Sequence, residues 1–173
     1  GLKMHSKLFL IRRMEAKKEV MYAHIGTGNF NEETARLYAD HSLLTCDKRI
    51  TEEVSRVFQF YNDNYKTGNY KHLIVSPFFT RKRFLSFIQK EIDSAVEGKD
   101  AWMVIKMNSL TDPEMIKKLY EASRAGVKIR MIIRGICSLV PGVEGISENI
   151  EVISIVDKYL EHARVFVFAN DGE

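Results

Sequence analysis

The stretch that decides the fold class is AWMVIKMNSLTDPEMIKKLYEASRAGVKIRMII, which covers residues 101–133. Its apolar runs at 101–107 and 127–133 have the length of buried strands, and apolar residues recur at helical spacing between them. Asp112-Pro113 predicts the start of that helix and Gly126 its end. Strand, helix and strand in this order predict a parallel pair joined by a right-handed crossover, so the fold class is α/β.

The pattern continues on both sides of this stretch. Upstream, residues 72–76 have the character of a strand, Thr80 can cap a helix, and Gly98 ends it. Downstream, we expect strands over 151–156 and 164–168. Together these elements predict a mixed, largely parallel sheet flanked by helices.

The first part of the chain contains three more strand candidates, near residues 6–12, 20–25 and 38–45. A loop beginning at Gly26-Thr27-Gly28 separates the last two. After Thr51, apolar residues at helical spacing predict a helix.

One segment resembles a linker, namely the polar residues 62–69, Asn-Asp-Asn-Tyr-Lys-Thr-Gly-Asn. It predicts two related units, 1–68 and 69–173. The chain opens almost at once on a strand without an initiator Met, and it closes on Asp171-Gly172, a turn with no second strand after it. We therefore expect a piece of a longer protein, with each unit truncated at one end.

Composition places the chain among ordinary globular proteins. It has 173 residues, of which 45% are hydrophobic and 28% charged, and its net charge is +3. These values exclude disorder and low complexity, and the apolar runs are too short to span a bilayer. The two cysteines, Cys46 and Cys137, lack metal-ligand spacing and fit a reducing, cytoplasmic setting. So small a charge does not by itself argue for nucleic acid.

His5-Ser6-Lys7 is the first candidate for chemistry. Residues two apart on a strand face the same way, so this motif presents an imidazole beside an ammonium. The imidazole can act as a nucleophile, and the ammonium can hold an oxygen on the same phosphorus. The alternative interpretation is an exposed polar strand end.

Two further motifs complement it. His162-Ala163-Arg164 repeats the spacing with Arg, a bidentate phosphate ligand, in place of Lys. In Gly26-Thr27-Gly28-Asn29, the glycines allow a close backbone approach and the amides can form an anion nest. A solvated strand start and a plain turn are the respective alternatives.

His-x-Lys followed by Gly-Thr-x-Asn resembles one half-site of the phospholipase D superfamily. That family has an Asp after the Lys, with four residues between them, and Arg12 stands at that place here.

A closer resemblance covers essentially the whole chain. Long blocks of the sequence are similar to type 1 polyphosphate kinases; they are residues 22–31, 34–38, 42–45, 106–110, 133–137, 141–142 with 145–150, and 154–156 with 159–162.

This resemblance implies two C-terminal phospholipase D-like domains, with 1–68 the end of the first and 69–173 the beginning of the second. It implies reversible transfer of the γ-phosphoryl group of ATP to inorganic polyphosphate through a phosphohistidine. The phosphorylated residue is then His5, and His162 assists as proton donor or phosphate ligand at the nucleotide. The resemblance also places Tyr38 at the nucleotide and Arg134 on its phosphates. For Tyr38, a core aromatic is the alternative.

Five further residues are candidate phosphate ligands. Lys106 and Asn108 share a strand face by the two-residue rule and would line the polyphosphate channel. The others lie beside the two histidines; they are Lys7, Asn29 and Arg164.

The resemblance further implies Mg²⁺, with ligands upstream of Gly1 and no metal site in this chain. It implies ATP or ADP and polyphosphate as partners, with no specific nucleic acid. It also implies a homo-oligomer, a dimer or tetramer, in the cytoplasm. Peripheral association with a membrane is compatible with this location. We expect the piece alone to be inactive.

Two other functions remain open. A phospholipase D-type phosphodiesterase or nuclease would hydrolyse phosphodiesters without ATP; Arg12 and Arg164 count against it. A non-catalytic polyanion-binding module would bind polyphosphate in a salt-sensitive way that does not depend on His5. The small net charge counts against that module.

Overall fold

The structure is a computed structural model that describes residues 3–65 and 67–172. Among them it contains nine strands, β1 to β9, which cover Lys7–Glu15, Lys18–Gly26, Tyr38–Ala39, Ser42–Thr45, Trp102–Met107, Lys128–Ile133, Ile150–Ile153, Leu160–Glu161 and Val165–Phe168. The helices α1 to α4 cover Glu32–Leu37, Lys48–Asn62, Thr80–Val96 and Pro113–Arg124, and a short 3₁₀ turn covers Asn170–Gly172.

The chain divides into two compact units, Gly1–Phe79 and Thr80–Glu173. These units are defined by contacts between residues within the chain, so their boundary need not coincide with the boundary between two domains. The sequence-based boundary between 68 and 69 stays a prediction.

The first unit is built on an antiparallel sheet in the order β1-β2-β4. Helix α2 packs against β1 and β2; Val54 and Val57 of α2 and Ala23 of β2 are buried. The mixed α/β class is confirmed. Among the described strands of this unit, however, the pairing is antiparallel, because a tight hairpin rather than a helix joins β1 to β2.

Local structure in this unit differs from the sequence-based expectation at three places. The single strand expected over 38–45 is two short strands, β3 and β4, separated by Asp40 and His41. The short helix α1 was not predicted; Asn31 caps it by accepting a hydrogen bond from the Thr34 amide at 2.9 Å. Helix α2 begins before Thr51, because Asp47 caps it through the Arg49 amide.

The strand expected over 72–76 is wrong, since the structure assigns no strand there. The amides of Lys71, His72 and Leu73 instead donate to the Glu53 carboxylate at 2.7 to 3.2 Å. Glu53 projects from α2 and is 1% exposed. Three consecutive amides that converge on one carboxylate cannot also form a ladder with a neighbouring strand.

The second unit has a four-stranded sheet in the order β7-β6-β5-β9. The pairs β5–β6 and β6–β7 are parallel, as predicted, while β9 runs antiparallel to β5. Alternate residues of the two central strands are buried, namely Met103, Ile105, Ile129, Met131 and Ile133. With residues of α3 and α4 they form one hydrophobic cluster.

The ends of the two long helices in this unit follow the sequence signals in three cases of four. Asp112 caps α4 by accepting from the Met115 amide at 3.0 Å. Gly98 and Gly126 have positive φ and follow α3 and α4, as predicted. The cap expected at Thr80 is wrong, because Thr80 lies within α3 and its buried hydroxyl has no hydrogen-bond partner among the described residues.

None of the helices among the described residues is both long enough and apolar enough to cross a membrane.

Candidate functional site

The first group of candidate residues lies where the chain enters β1. His5 is exposed and lies two residues before Lys7, which is the first residue of β1 and is 7% exposed. The Lys7 ammonium lies 2.9 Å from the His5 carbonyl oxygen and 3.1 Å from the His5 ring nitrogens. The structure therefore places a buried ammonium beside an accessible imidazole, as the motif predicts.

The glycine-containing loop after β2 is held by a short network. The Thr27 hydroxyl donates to Asp40 at 2.6 Å and accepts from the His41 amide at 3.0 Å. The Thr27 amide donates to the His41 carbonyl oxygen at 3.0 Å. This loop is therefore fixed to the segment between β3 and β4 rather than free to move as a simple turn.

The remaining candidates of the first unit lie on either side of this loop. Asn29 is exposed, and its carbonyl oxygen accepts a hydrogen bond from the Asn31 amide at 2.8 Å. Tyr38 is half-buried at the start of β3.

In the second unit, the site is formed by the loops that follow β5 and β6. The Gly135 amide donates to the Asn108 carbonyl oxygen, and the Leu110 amide donates to the Ile136 carbonyl oxygen. A Cβ atom at position 135 would lie 3.0 Å from the Asn108 carbonyl oxygen, so only glycine fits between the loops without displacing one of them. Because parallel strands end at the same edge, these loops bring their side chains together there.

Three cationic side chains converge at this edge. Lys106 is the next-to-last residue of β5 and forms an ion pair with Glu161, with the nitrogen and oxygen atoms 2.7 Å apart. Arg134, directly after β6, donates to the Glu161 carbonyl oxygen at 3.4 Å. Arg164, directly before β9, donates to the His162 carbonyl oxygen at 3.1 Å. The segment that carries His162 is thus held by three cations.

Two further candidate residues, His162 and Asn108, complete this edge. His162 is 8% exposed. Asn108 lies one residue beyond β5, so the strand-alternation argument for its orientation does not apply. Its side-chain oxygen is buried and has no hydrogen-bond partner among the described residues, which makes it a free acceptor at the site.

The charged groups with shifted pKa values lie in the scaffold. Hydrogen bonds from Arg81 and from the Met115 amide lower the pKa of Asp112 at the start of α4. Burial raises the pKa of Glu53, but the Leu73, Lys71 and His72 amides together bring it below its ordinary value. Both carboxylates therefore act as structural anions near neutral pH.

The acidic and metal-binding side chains of residues 3–65 and 67–172 do not form a group of three that could hold a metal ion. The expectation that the ligands of Mg²⁺ lie upstream stays a prediction.

Comparison with known proteins agrees with this arrangement in both units. Residues 1–67 match the family model described as polyphosphate kinase C-terminal domain 1, and residues 73–173 match polyphosphate kinase C-terminal domain 2. The chain belongs to the polyphosphate kinase family.

Relatives and a solved structure give the extent of the similarity. The polyphosphate kinases of Vibrio vulnificus and Escherichia coli strain K12 are 55% and 51% identical to it over all of its 173 residues. The crystal structure of polyphosphate kinase from Porphyromonas gingivalis superposes with a TM-score of 0.88 at 39% identity, covering 100% of this chain and 29% of that one. The chain spans 25% of the length of those curated relatives.

The structure places the candidate residues beside the two histidines in two groups, one in each unit. The first unit holds His5 next to Lys7. The second unit collects the other cations around His162; they are Lys106, Arg134 and Arg164. The roles assigned to all the candidate residues stay predictions.

Sequence reasoning missed two residues that organise the site. Asp40 anchors the glycine loop through Thr27, and only its position between two apolar runs could have drawn attention to it. Glu161 pairs with Lys106. Its signal was available, since it is the carboxylate directly before the His162-Ala163-Arg164 motif.

Proposed function

We propose that the full-length parent of this chain is an ATP:polyphosphate phosphotransferase that works through a phosphohistidine on His5. The observation that carries this proposal is the accessible imidazole of His5 beside the buried ammonium of Lys7. A neutral imidazole attacks the γ-phosphorus of ATP, the bond from that phosphorus to the ADP oxygen breaks, and an N–P bond forms. Lys7 stabilises charge on the oxygens of the transferred group.

The second half of the reaction follows from the reactivity of that bond. The terminal phosphate of polyphosphate attacks the phosphorus, the N–P bond breaks, and the chain grows by one unit while His5 returns to its neutral state. The reverse sequence makes ATP from ADP. Because the transferring group develops charge on its oxygens, cations contribute more than further covalent chemistry does.

We assign supporting roles to residues of both units. His162 acts as proton donor or phosphate ligand, and Arg134 contacts the phosphates of the nucleotide, where Tyr38 also lies. Further phosphate ligands are Lys7, Asn29, Lys106, Asn108 and Arg164. The enrichment of cations around His162 supports a polyanionic substrate.

Arg12 favours phosphoryl transfer over phosphodiester hydrolysis. It occupies the position where phospholipase D half-sites carry an Asp, and its guanidinium donates to Ser55 of α2 at 2.5 Å. The position therefore supports the scaffold and supplies no carboxylate to the reaction.

The test uses the full-length parent, wild type and His5→Ala, incubated with γ-labelled ATP and Mg²⁺. We expect an acid-labile, base-stable label on the wild type that can be chased onto polyphosphate. In His5→Ala we expect labelling and turnover to fall by roughly a thousandfold or more, because the nucleophile is gone.

His72→Ala is the matched control, since His72 is an exposed histidine of the same unit whose backbone amide, not its ring, binds Glu53. It should label like the wild type. Normal labelling of His5→Ala, or phosphodiester cleavage without ATP by the wild type, would contradict the proposal.

Oligomeric assembly of the parent as a dimer or tetramer, a cytoplasmic location and peripheral association with membranes stay predictions of the sequence.

A further inference from the structure

The ion pair between Lys106 and Glu161 differs from the other ion pairs of the second unit in its place and its burial. The ammonium nitrogen and carboxylate oxygen are 2.7 Å apart, and the two side chains are 15% and 26% exposed. Lys106 lies on β5 opposite Val165 of β9 and Ile132 of β6, at the edge that carries the candidate phosphate ligands. Partial burial weakens the screening of this pair by solvent.

The charges at this edge are unequally paired. Arg134 and Arg164 donate to backbone carbonyl oxygens and form no ion pair with a carboxylate among the described residues. Their positive charges remain available to an anion. Lys106 alone of the three has its charge matched by a carboxylate, and that carboxylate belongs to the residue directly before His162.

From this pairing we infer that Glu161 is an internal counter-charge that limits the affinity of the site for polyphosphate by competing with substrate phosphate for Lys106. A phosphate oxygen that contacts Lys106 must either displace the Glu161 carboxylate or lie next to it. Both routes cost part of the binding free energy, the first through loss of the ion pair and the second through repulsion between anions. A phosphotransferase that adds units to a chain benefits from this limit, because the product must move after each transfer.

This inference rests on the proposed function and concerns regulation of substrate affinity at the same site. It makes a directional prediction. Glu161→Gln removes the negative charge but keeps the backbone carbonyl oxygen to which Arg134 donates. A role in merely holding Lys106 in place predicts weaker binding of polyphosphate, whereas a counter-charge predicts tighter binding.

The experiment measures the Kd of the full-length parent for linear polyphosphate of defined length, without ATP, at several salt concentrations. We expect Glu161→Gln to bind about fivefold more tightly than the wild type, the effect of freeing one partly exposed cation. The slope of log Kd against log salt should steepen by about one, as expected for one additional phosphate contact.

Glu151→Gln is the matched control. Glu151 lies on β7 of the same unit, pairs with Arg130 at 3.6 Å and is 75% exposed, so this variant changes the net charge equally, away from the site. Equal or weaker binding by Glu161→Gln relative to Glu151→Gln would overturn the inference. Glu161→Asp is a second variant, which keeps the negative charge but withdraws the carboxylate from Lys106. We expect it to lower the Kd for polyphosphate less than Glu161→Gln does.

Failure of the inference is distinguishable from failure of the proposed function. The same wild-type preparation is assayed for ATP-dependent synthesis of polyphosphate. An inactive, unlabelled wild type contradicts the function, whereas an active wild type with no tightening in Glu161→Gln contradicts only the inference.

Discussion

The second unit is organised around a continuous apolar core, whereas the first unit has few fully buried apolar side chains. The hydrophobic cluster of buried residues lies entirely between Ile88 and Ile150. In the described part of the first unit, the buried apolar residues are Ala23, Val54 and Val57. On the face of its sheet opposite to α2, Phe9, Ile11 and Leu44 are exposed. The second unit therefore relies on apolar burial for its stability, whereas the first must rely more on other interactions.

Both units nevertheless share one polar feature, a buried glutamate that accepts hydrogen bonds from backbone amides. In each, a helix contributes a glutamate that is 1% exposed and accepts backbone hydrogen bonds from residues outside its own helix. Glu53 binds the amides of 71–73. Glu91 binds the Trp102 amide at 3.2 Å and the Asn170 amide at 2.7 Å. In the second unit the buried glutamate supplements a large apolar core. In the first unit, which has few buried apolar side chains, it takes over part of the role of a core.

The largest effect should follow from opening the core of the second unit. Met103 is 0% exposed in the middle of the hydrophobic cluster. We expect Met103→Ala to lower the free energy of unfolding by about 3 kcal/mol, through loss of burial and creation of a cavity. Denaturant unfolding of the chain, followed by amide exchange in β5 and β6, measures it.

Val104→Ala is the control for this substitution, because Val104 is the next residue of β5 and is 37% exposed. It should change the free energy by less than about 1 kcal/mol. Equal effects of the two variants would show that the cluster is not the main source of stability in the second unit.

In the first unit, the corresponding test removes the charge of Glu53. We expect Glu53→Gln to destabilise the unit by about 2 kcal/mol, since an amide oxygen accepts less strongly than a carboxylate and its NH₂ faces three backbone donors. Amide exchange at residues 71–73 measures the loss. Because hydrogen bonds lower the pKa of Glu53 below its ordinary value, its contribution is present above that ordinary value.

The same pKa shift gives a signature in acid. The stability contributed by Glu53 should be lost as the pH falls through its lowered, folded-state pKa, and Glu53→Gln should lack this loss. Glu52→Gln is the control, since Glu52 is the exposed neighbour on the same helix. Identical acid unfolding of wild type and Glu53→Gln would contradict the role of the carboxylate.

The two units also differ in how much of their structure could be predicted from sequence. In the second unit, apolar runs, Asp112 and Gly126 act locally, so the strands and three of the four ends of the long helices followed from local signals. In the first, the segment 72–76 resembles a strand by composition, yet its His72 and Leu73 amides donate to a carboxylate 19 and 20 residues before them. Periodicity carries no information about such a distant partner.

The candidate site follows the same rule. His5 and Lys7 are two residues apart, so their contact is local in sequence, although His5 lies before β1 and strand alternation does not account for it. The pairing of Lys106 with Glu161 joins residues far apart in sequence, and it depends on the antiparallel addition of β9 to β5. The sequence pattern predicted a strand there but not its direction, so the partner of Lys106 could not be identified.

The smallest effect concerns the hairpin of the first unit, where a local rule is not followed. Ala16 and Lys17 join β1 to β2 with φ values of 46° and 65°, a turn in which Asn-Gly is favoured. A residue with a Cβ in this left-handed conformation costs free energy that glycine avoids. Replacing Ala16-Lys17 by Asn-Gly should therefore stabilise the chain by about 1 kcal/mol, measured as a higher denaturant midpoint and slower exchange of β1 and β2 amides. Ala16→Val should act in the opposite direction, because a β-branched side chain fits this conformation least well. If both variants left the midpoint unchanged, the stability of the first unit would not depend on this hairpin, and the Glu53 contacts would be left as its main polar support.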